Sequence, residues 1–352
     1  MKILHLPSTV GGHNWGLAQG EKALGLDSTV LVDSTNWLGY KSDICLNLQD
    51  KSRAQRIYTK IDTFFKVKNS YDIYHFNFGS SLVDFSNYNL HLLDIPFYKG
   101  KKIFTYNGCD ARQKYPTINR VEFSACHQKD CYEGRCNSGK MDKRREERIK
   151  IVDKYADHIF ALNPDLMYFL PPEKTTFLPY SVAGWEDIEK VDYIIDKKIK
   201  IIHSPTNRAA KGSDYILKAL DNLQKKYKNI EVQIIEKIPY AQALQMYKEA
   251  DIIIDQVLIG WYGGFGVEVM KMGKPLGVFI REEDLKFIPN DMAKDLKEAI
   301  INLNPFNIEE ELSKYIENTN LLYEKSKASL EYVHKWHDPL YVASLTKEVY
   351  ER

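Results

Sequence analysis

Residues 250–279, which read ADIIIDQVLIGWYGGFGVEVMKMGKPLGVF, decide the fold because they predict a strand, a glycine-rich loop, a short helix and a second strand in succession. Ile252–Ile259 is an apolar, β-branched run of the length of a buried strand. Glycines follow at positions 260, 263, 264 and 266. At such positions the backbone can turn sharply and approach a ligand closely. The stretch therefore predicts one α/β unit with a ligand-binding loop.

The helix predicted over Val267–Met272 supplies the second half of this ligand site. Gly273 ends the helix and Pro275 prevents its continuation. The start of a helix offers unpaired N–H groups and the positive end of the helix dipole, which together can bind a diphosphate. Glu268, in the predicted first turn, can accept two hydrogen bonds from a ribose diol. Stabilisation of the helix dipole is an equally open interpretation of this glutamate.

Length and composition restrict the class of protein. A chain of 352 residues is long enough for two domains. Its net charge of +1 gives no electrostatic indication of a nucleic-acid partner. No secretory or membrane-spanning run is apparent, and five cysteines fit a reducing compartment. We expect a cytoplasmic protein, with the inner face of the membrane as a further possible location.

Strands and helices alternate along the chain, which predicts parallel sheets with helices on their faces. The pattern breaks around Pro179–Asp187, where we place a domain boundary, and a second α/β unit begins at Ile199–His203. Predicted strands in the first half bring polar side chains to the carboxyl edge of their sheet, where open α/β sheets bind ligands: His75, Asn77, Asn107 and Asp110. Gly11 and Gly12 do not fit the dinucleotide pattern G-x-G-x-x-G.

Two stretches in the second half carry a family resemblance. GVEVMKMGKP (266–275) is similar to the glutamate helix of the GT-B glycosyltransferases, E-A-M-A-x-G-x-P, and SPTNRAAKGSDYILKAL (204–220) is similar to their basic loop. The chain most resembles family 4, the retaining enzymes that use nucleotide sugars. The resemblance implies an α/β GT-B fold: two Rossmann-like domains facing a central cleft, and a C-terminal helix that crosses back to the N-terminal domain.

The resemblance also implies domain ranges and roles. Residues 1–182 would form an acceptor-binding domain, residues 183–336 a nucleotide-sugar-binding domain, and residues 337–352 the returning helix. It implies that Glu268 binds the nucleotide ribose and that Arg208 and Lys211 hold the donor diphosphate. Two cations and a helix start facing the developing phosphate charge would assist departure of a nucleoside diphosphate without a required cofactor. A solvated surface loop is the alternative for Arg208 and Lys211.

One position departs from the family pattern. Family members carry E-x7-E, and the place of the first glutamate is taken by Gly260. That glutamate contacts the transferred sugar in the family. Asp255, Gln256 or Tyr262 could supply a substitute polar contact. The predicted nucleotide-sugar site thus comprises Gly12, Arg208, Lys211, Tyr262, Gly263, Gly264 and Glu268.

On the acceptor side we predict Asp110 as a catalytic or orienting carboxylate, and on the donor side Arg208 and Lys211 as catalytic cations. Asp110 could take a proton from the acceptor hydroxyl. Equally open is an Asx turn or an ion pair with Arg112.

Three cysteines, Cys126, Cys131 and Cys136, lie in the polar segment CHQKDCYEGRC, and Cys109 precedes them. Three close thiols can share a structural zinc with a fourth ligand from Cys109 or His127. Reduced thiols without metal are equally compatible with the spacing.

The segment 140–150, KMDKRREERIK, has the composition of a solvated helix. A membrane-surface patch that serves a lipid-linked acceptor is the alternative. The predicted function is transfer of a sugar from a nucleotide sugar to a glycan or glycolipid in the synthesis of surface polysaccharide or glycoconjugate. A non-catalytic GT-B subunit that binds a glycan or protein partner, and a nucleotide-sugar epimerase of the same fold, are the alternatives.

Overall fold

Two parallel sheets, of seven and five strands, organise the chain in a computed structural model that describes residues 1–8, 10–35, 39–85, 88–196, 198–238 and 240–352. The described residues divide into two units. Unit 1 comprises residues 1–113, 140–185 and 337–352, and unit 2 comprises residues 114–139 and 186–336.

The strands of unit 1 pair in the order β3-β2-β1-β4-β5-β6-β7, and those of unit 2 pair in the order β12-β11-β10-β8-β9. The strand bounds are β1 (Lys2–Leu6), β2 (Asp27–Val32), β3 (Ile44–Cys45), β4 (Ile73–Asn77), β5 (Lys101–Tyr106), β6 (His158–Ala161), β7 (Thr175–Phe177), β8 (Ile199–His203), β9 (Ile230–Ile234), β10 (Ile252–Ile254), β11 (Leu276–Val278) and β12 (Ile300–Asn302).

Helices connect these strands, as expected for parallel pairing. The helix bounds are α1 (His13–Ala23), α2 (Arg53–Val67), α3 (Lys114–Arg120), α4 (Lys140–Tyr155), α5 (Arg208–Lys211), α6 (Ser213–Lys226), α7 (Tyr240–Lys248), α8 (Gly264–Lys271), α9 (Asn290–Ala299), α10 (Ile308–Glu317), α11 (Asn320–Trp336) and α12 (Pro339–Glu351).

Both sheets have apolar central strands because helices or loops cover both of their faces. Every residue of β4 and of β10 is buried. In unit 1 the aromatic side chains of Phe76 and Phe104 stack with ring centroids 4.7 Å apart, in register across β4 and β5. In unit 2 the isoleucines of β8 and β10 pack against α6 and α10.

Residues 114–139, which the sequence analysis places in the N-terminal domain, pack in unit 2. The backbone N–H of Ala125 donates to the carbonyl of Leu258 (3.1 Å), and the Arg281 guanidinium donates to the carbonyl of Phe123 (2.9 Å). The ring of Phe123 also lies 5.0 Å from that of Phe279. These contacts join positions far apart in the chain, so the sequence pattern does not reveal them.

The C-terminal helix returns to the N-terminal unit, as the resemblance implies, since α12 packs against α1 in unit 1. Gly20 on α1 permits this close approach: a Cβ atom there would lie 2.1 Å from the carbonyl oxygen of Pro339. Any larger residue at position 20 would push the two helices apart.

A buried polar network ties α12 to α1 and the first sheet. The carboxylate of Glu21 accepts hydrogen bonds from His5 Nε2 (2.7 Å), Ser28 Oγ (2.7 Å) and the Tyr350 hydroxyl (2.8 Å). The same hydroxyl lies 2.6 Å from His75 Nδ1. His75 is therefore part of this buried network, and burial holds its pKa well below the ordinary value.

Glu21→Ala should destabilise the protein by about 3–5 kcal/mol, because it leaves several buried donors without their shared acceptor. The measurement is the free energy of unfolding in urea. Glu351→Ala, at an exposed position of α12, is the matched control and should change that free energy by less than about 0.5 kcal/mol. Equal effects of the two substitutions would contradict the proposed contribution of the network to the free energy of unfolding.

The charged segment 140–150 lies in α4, and its charges largely pair. Arg148 contacts Asp84 (2.5 Å), Arg145 contacts Asp142 (3.3 Å), and Lys150 contacts Glu146 one turn away (2.7 Å). No helix among the described residues combines the length and apolar character needed to cross a bilayer.

Candidate functional site

Most of the residues predicted to bind a nucleotide lie in unit 2, in the segments that follow β8 and β10, whereas Gly12 lies in unit 1. In the sheet β8 lies between β9 and β10. The chain therefore passes from β8 to its neighbour β9 on one side, and later forms β10 on the other side of β8. Loops that follow two such strands diverge and leave a crevice, which is where open α/β sheets bind ligands.

Lys211 and Asp255 join the two loops at this point. Lys211 ends the single turn α5 after β8, and Asp255 directly follows β10. Asn207 caps the turn, since its side-chain oxygen accepts from the backbone N–H of Ala210 (2.9 Å). The ammonium group of Lys211 forms an ion pair with the carboxylate of Asp255. Asp255 is 1% exposed, so this pair fixes the position of the lysine at the sheet edge.

Arg208 begins the same turn but has a different partner. Its Nε and Nη2 atoms donate to the two carboxylate oxygens of Glu236, at 2.8 and 2.5 Å. The arginine side chain is 53% exposed. The structure thus places both predicted cations on one helical turn, and each already has a carboxylate partner.

The glycine-rich loop forms the start of α8. The helix begins at Gly264, three residues before the predicted start, and its N-cap residue is Gly263, which has no side chain to cap it. A Cβ atom at Gly263 would meet nothing within 4 Å. The backbone at Gly263, directly before α8, therefore borders open space, as an anion site at a helix start requires.

Glu268 lies in the second turn of α8, not in the first as predicted, because the helix begins earlier. It is 8% exposed. The pKa of Tyr247, on the preceding helix α7, is raised mainly because that side chain is buried. The negative charge of Glu268 raises it further. Tyr247 also shares a hydrogen bond of 2.7 Å with Ser204, the first residue after β8. Glu268 is thus linked through Tyr247 to the loop that leads to Lys211.

Two residues proposed as substitute polar contacts have structural partners. The Gln256 amide nitrogen donates to the carbonyls of Trp261 (3.1 Å) and Phe279 (2.9 Å), and its oxygen accepts from two backbone N–H groups. These bonds bend the chain, so β10 ends at Ile254 and not at Ile259 as predicted. The Tyr262 hydroxyl bonds to the hydroxyl of Tyr332 in the interior.

Gly260, which stands where the family has its first glutamate, has a backbone conformation that disfavours a side chain. Its φ is +90°, and a Cβ atom there would lie 3.3 Å from Arg281 Cβ. The backbone N–H of Arg281 donates to the Gly260 carbonyl (3.0 Å) and holds this turn. The glutamate that the family pattern has at this position would therefore be strained in this backbone conformation.

Gly260→Glu should therefore destabilise the protein by about 1–3 kcal/mol and should not raise turnover. The free energy of unfolding in urea checks the first part. A substitution that left stability unchanged and increased activity would show that the turn can accept the family glutamate.

In unit 1, Asp110 forms a tight turn after β5. Its carboxylate accepts from the backbone N–H of Asn107 (3.0 and 3.1 Å) and of Gly108 (2.6 Å). Arg112 instead pairs with Asp165, at 2.5 and 2.8 Å. Burial raises the pKa of Asp110 to about 6 despite the backbone donors. Such a group can accept a proton near neutral pH.

This pKa predicts a pH dependence of stability. Folding raises the pKa of Asp110 from an ordinary 3.8 to about 6, so the stability gained by binding the proton is complete below pH 3.8 and is lost as the pH rises to about 6. Asp110→Asn removes this loss. The difference in unfolding free energy, variant minus wild type, should grow between pH 4.5 and pH 7. If the unfolding free energies of the variant and the wild type changed in parallel with pH, the raised pKa of Asp110 would be contradicted.

Gly12, the residue of unit 1 in the predicted nucleotide-sugar site, directly precedes α1 and is buried. His13 Nδ1 accepts from the backbone N–H of Ser181 (3.1 Å), and burial lowers its pKa to about 3, so the ring is neutral. A neutral imidazole can serve as a hydrogen-bond partner but not as a cation.

The four cysteines proposed for zinc lie outside the one group of close metal-ligating side chains found among the described residues. Cys109 is exposed after β5, and Cys126, Cys131 and Cys136 are partly buried in short turns of unit 2. Among the described residues, the one group of three or more His, Cys, Asp or Glu side chains whose ligand atoms all lie within 4.8 Å is His5, Glu21 and His75. Hydrogen bonds already join those three residues to neighbouring side chains.

Sequence reasoning missed two parts of the site, the roles of Asp255 and Tyr247. Asp255 was considered only as a contact to the sugar, whereas it pairs with Lys211. The available signal was its position directly after an apolar strand, where a buried carboxylate requires a cation. No local pattern indicates that Tyr247 faces Ser204, 43 residues earlier in the chain.

No protein-family model matches the chain, and a search of curated proteins finds no match. Solved structures do match along its whole length. Sucrose-phosphate synthase from Thermosynechococcus elongatus is 13% identical, with 100% of this chain and 98% of that chain covered and a TM-score of 0.64. HepE from Anabaena, in complex with UDP and glucose, is 10% identical, with coverage of 100% and 99% and a TM-score of 0.58.

UDP-GlcNAc 2-epimerase from Neisseria meningitidis, bound to UDP-GlcNAc, is 15% identical, with coverage of 100% for both chains and a TM-score of 0.56. At these identities the matches establish the fold and not the activity. They confirm the predicted α/β class with two Rossmann-like sheets and the GT-B fold, which nucleotide-sugar glycosyltransferases and UDP-GlcNAc 2-epimerases share.

Proposed function

We propose that the protein is a glycosyltransferase that moves a sugar, with retention of configuration, from a nucleotide sugar to a glycan or lipid-linked acceptor. What supports this proposal is that Lys211 follows β8 while the start of α8 and Glu268 follow β10, the two strands that border the switch point of the second sheet. The nucleotide-sugar complexes among the structural matches support it.

In the proposed reaction the anomeric carbon loses a nucleoside diphosphate. The backbone N–H groups at Gly263 and Gly264 and the ammonium of Lys211 stabilise the negative charge that develops on the departing phosphate. Asp255 positions the lysine, and Glu268 accepts hydrogen bonds from the ribose. Arg208 reaches the diphosphate only by leaving Glu236, so we assign it a smaller part than Lys211.

Proton transfer from the acceptor is the second requirement. Asp110, whose pKa of about 6 leaves it largely ionised at pH 7, is the group that we propose for it. The backbone donors of Asn107 and Gly108 hold the carboxylate in place. Its proposed role is to accept the proton from the attacking hydroxyl.

Epimerisation of a nucleotide sugar is the second candidate function. Gly260 favours it, because the glutamate that contacts the transferred sugar in family 4 is missing. UDP-GlcNAc 2-epimerases are also among the matched structures. The same diphosphate and ribose contacts would serve either reaction.

Release of nucleoside diphosphate separates these functions. The purified protein is incubated with UDP-, GDP-, ADP- and dTDP-sugars, with and without a panel of glycan and lipid-linked acceptors. Acceptor-dependent release of one nucleoside diphosphate is the result that we expect. Conversion of the donor without an acceptor identifies an epimerase. Nucleotide binding without turnover in either assay indicates the non-catalytic subunit.

A further inference from the structure

A second cavity, of about 460 Å³, lies wholly within unit 1 and includes no residue of the proposed nucleotide site. Its lining comprises residues directly after β2, residues just before and within the first part of α2, and three residues that follow β4: Asp84, Phe85 and Tyr88. Its volume is in the range of small-molecule sites. Charged and aromatic side chains dominate its lining, so its chemistry indicates what it can bind.

Two guanidinium groups mark one side of this cavity. Arg53 and Arg56 lie in the first turn of α2, which contains no acidic residue. Arg56 is held in place because its Nε donates to the carbonyl of Lys51 (2.9 Å) and its Nη2 to that of Gln49 (3.2 Å). Within the described ranges neither arginine forms an ion pair with a carboxylate. The positive end of the helix dipole adds to their charge.

The carboxylates of the cavity are already neutralised by cations. Asp33 contacts Lys60 at 2.6 Å, and Asp84 contacts Arg148 at 2.5 Å. The positive charge of Arg53 and Arg56 therefore remains uncompensated in this part of the structure. The other oxygen of Asp33, Oδ1, is buried and has no hydrogen-bond partner among the described residues. A buried carboxylate oxygen without a donor favours a ligand or water that supplies one.

Tyr88 supplies an aromatic surface between these groups. Its side chain is 56% exposed, although it lines the cavity, and the Arg53 guanidinium lies 5.3 Å from its ring centroid. Phe85 lies on the same segment and also borders the cavity. An exposed aromatic ring next to hydrogen-bonding side chains is suited to packing against the apolar face of a sugar ring.

We propose that this cavity binds an anionic monosaccharide unit. Arg53 and Arg56 bind its phosphate or carboxylate, Tyr88 packs against the ring, and Asp33 accepts hydrogen bonds from the hydroxyls. Guanidinium groups suit both anions, because their paired N–H donors match the spacing of the anion's oxygens. On the proposed function, and resting on it, this unit belongs to the acceptor.

Calorimetric titration of the full chain tests the binding site directly. The ligands are glucose 6-phosphate, glucuronate, glucose and inorganic phosphate. We expect glucose 6-phosphate or glucuronate to bind at least tenfold more tightly than glucose and than phosphate, and the stronger of the two identifies the anion. Equal binding of glucose would overturn the anionic part of the proposal, and equal binding of inorganic phosphate would overturn the sugar part.

The double substitution of Arg53→Ala and Arg56→Ala should weaken binding of the preferred anionic sugar by about tenfold or more, since each charge-assisted hydrogen bond contributes substantially. Lys66→Ala is the matched control, because this exposed lysine of α2 pairs with Asp62 and does not line the cavity. Both variants should retain the wild-type melting temperature. Equal binding by the double variant and the control would place the ligand elsewhere.

A UDP titration of the same samples separates failure of this proposal from failure of the proposed function. UDP affinity should be equal in wild type and in the double variant, since none of the residues predicted to bind the nucleotide lines the cavity. Binding of UDP without binding of any anionic sugar would overturn the cavity proposal alone. Binding of anionic sugar without UDP or any other nucleotide would remove the proposed function and leave the cavity assignment in place.

Discussion

Lys211→Met is expected to lower turnover of the preferred nucleotide sugar by about 10²–10³-fold, because it removes a positioned cation from the departing diphosphate. It should also destabilise the protein by about 3–5 kcal/mol, because Asp255 is 1% exposed and would keep a buried charge without a partner. Steady-state kinetics and urea unfolding measure the two effects.

The double variant Lys211→Met with Asp255→Asn separates catalysis from folding. Replacing the carboxylate by an amide removes the unpaired charge, so most of the lost stability should return. Turnover should remain as low as in the single variant, because the cation is still missing. If turnover recovered together with stability, Lys211 would be a structural residue and not part of the diphosphate site.

Glu268→Ala should weaken UDP binding by about 10²–10⁴-fold while the protein stays folded. The reason is that hydrogen bonds from a ribose diol to a carboxylate contribute about 1.5–3 kcal/mol each. Calorimetric titration with UDP gives the affinity, and thermal unfolding reports on the fold. Glu268→Gln should fall between wild type and Glu268→Ala, because an amide oxygen is a weaker acceptor.

Glu249→Ala is the control for the loss of a carboxylate in the same unit. Glu249 is 66% exposed and pairs with Lys200, so its removal should leave UDP affinity unchanged. Titration with uridine adds a second check. If Glu268 contacts the ribose, Glu268→Ala should weaken the binding of uridine and of UDP by the same factor. An unchanged affinity of Glu268→Ala for UDP would remove Glu268 from the site.

The fold could be predicted from the sequence because strand and helix periodicity are local. Ile199–His203 is a strand with the predicted bounds. The returning C-terminal helix was expected within residues 337–352 and lies at Pro339–Glu351. Apolar runs bounded by turn residues are sufficient for such elements.

The site was harder to predict because side-chain partners depend on tertiary contacts. The hydroxyl of Tyr262 bonds to Tyr332, and Arg208 pairs with Glu236. Those partners are 70 and 28 residues away, and no local pattern connects them. The loop that follows β10 shows the same limit, since the side chain of Gln256 ends a strand that β-branched residues would otherwise extend.

A crystal structure of the protein with UDP tests the central claim most directly. We predict the diphosphate on the backbone N–H groups at Gly263 and Gly264, with a phosphate oxygen within hydrogen-bond distance of Lys211 Nζ, and the ribose hydroxyls on Glu268. UDP bound elsewhere on the molecule, with the start of α8 and Lys211 without ligand, would contradict the account.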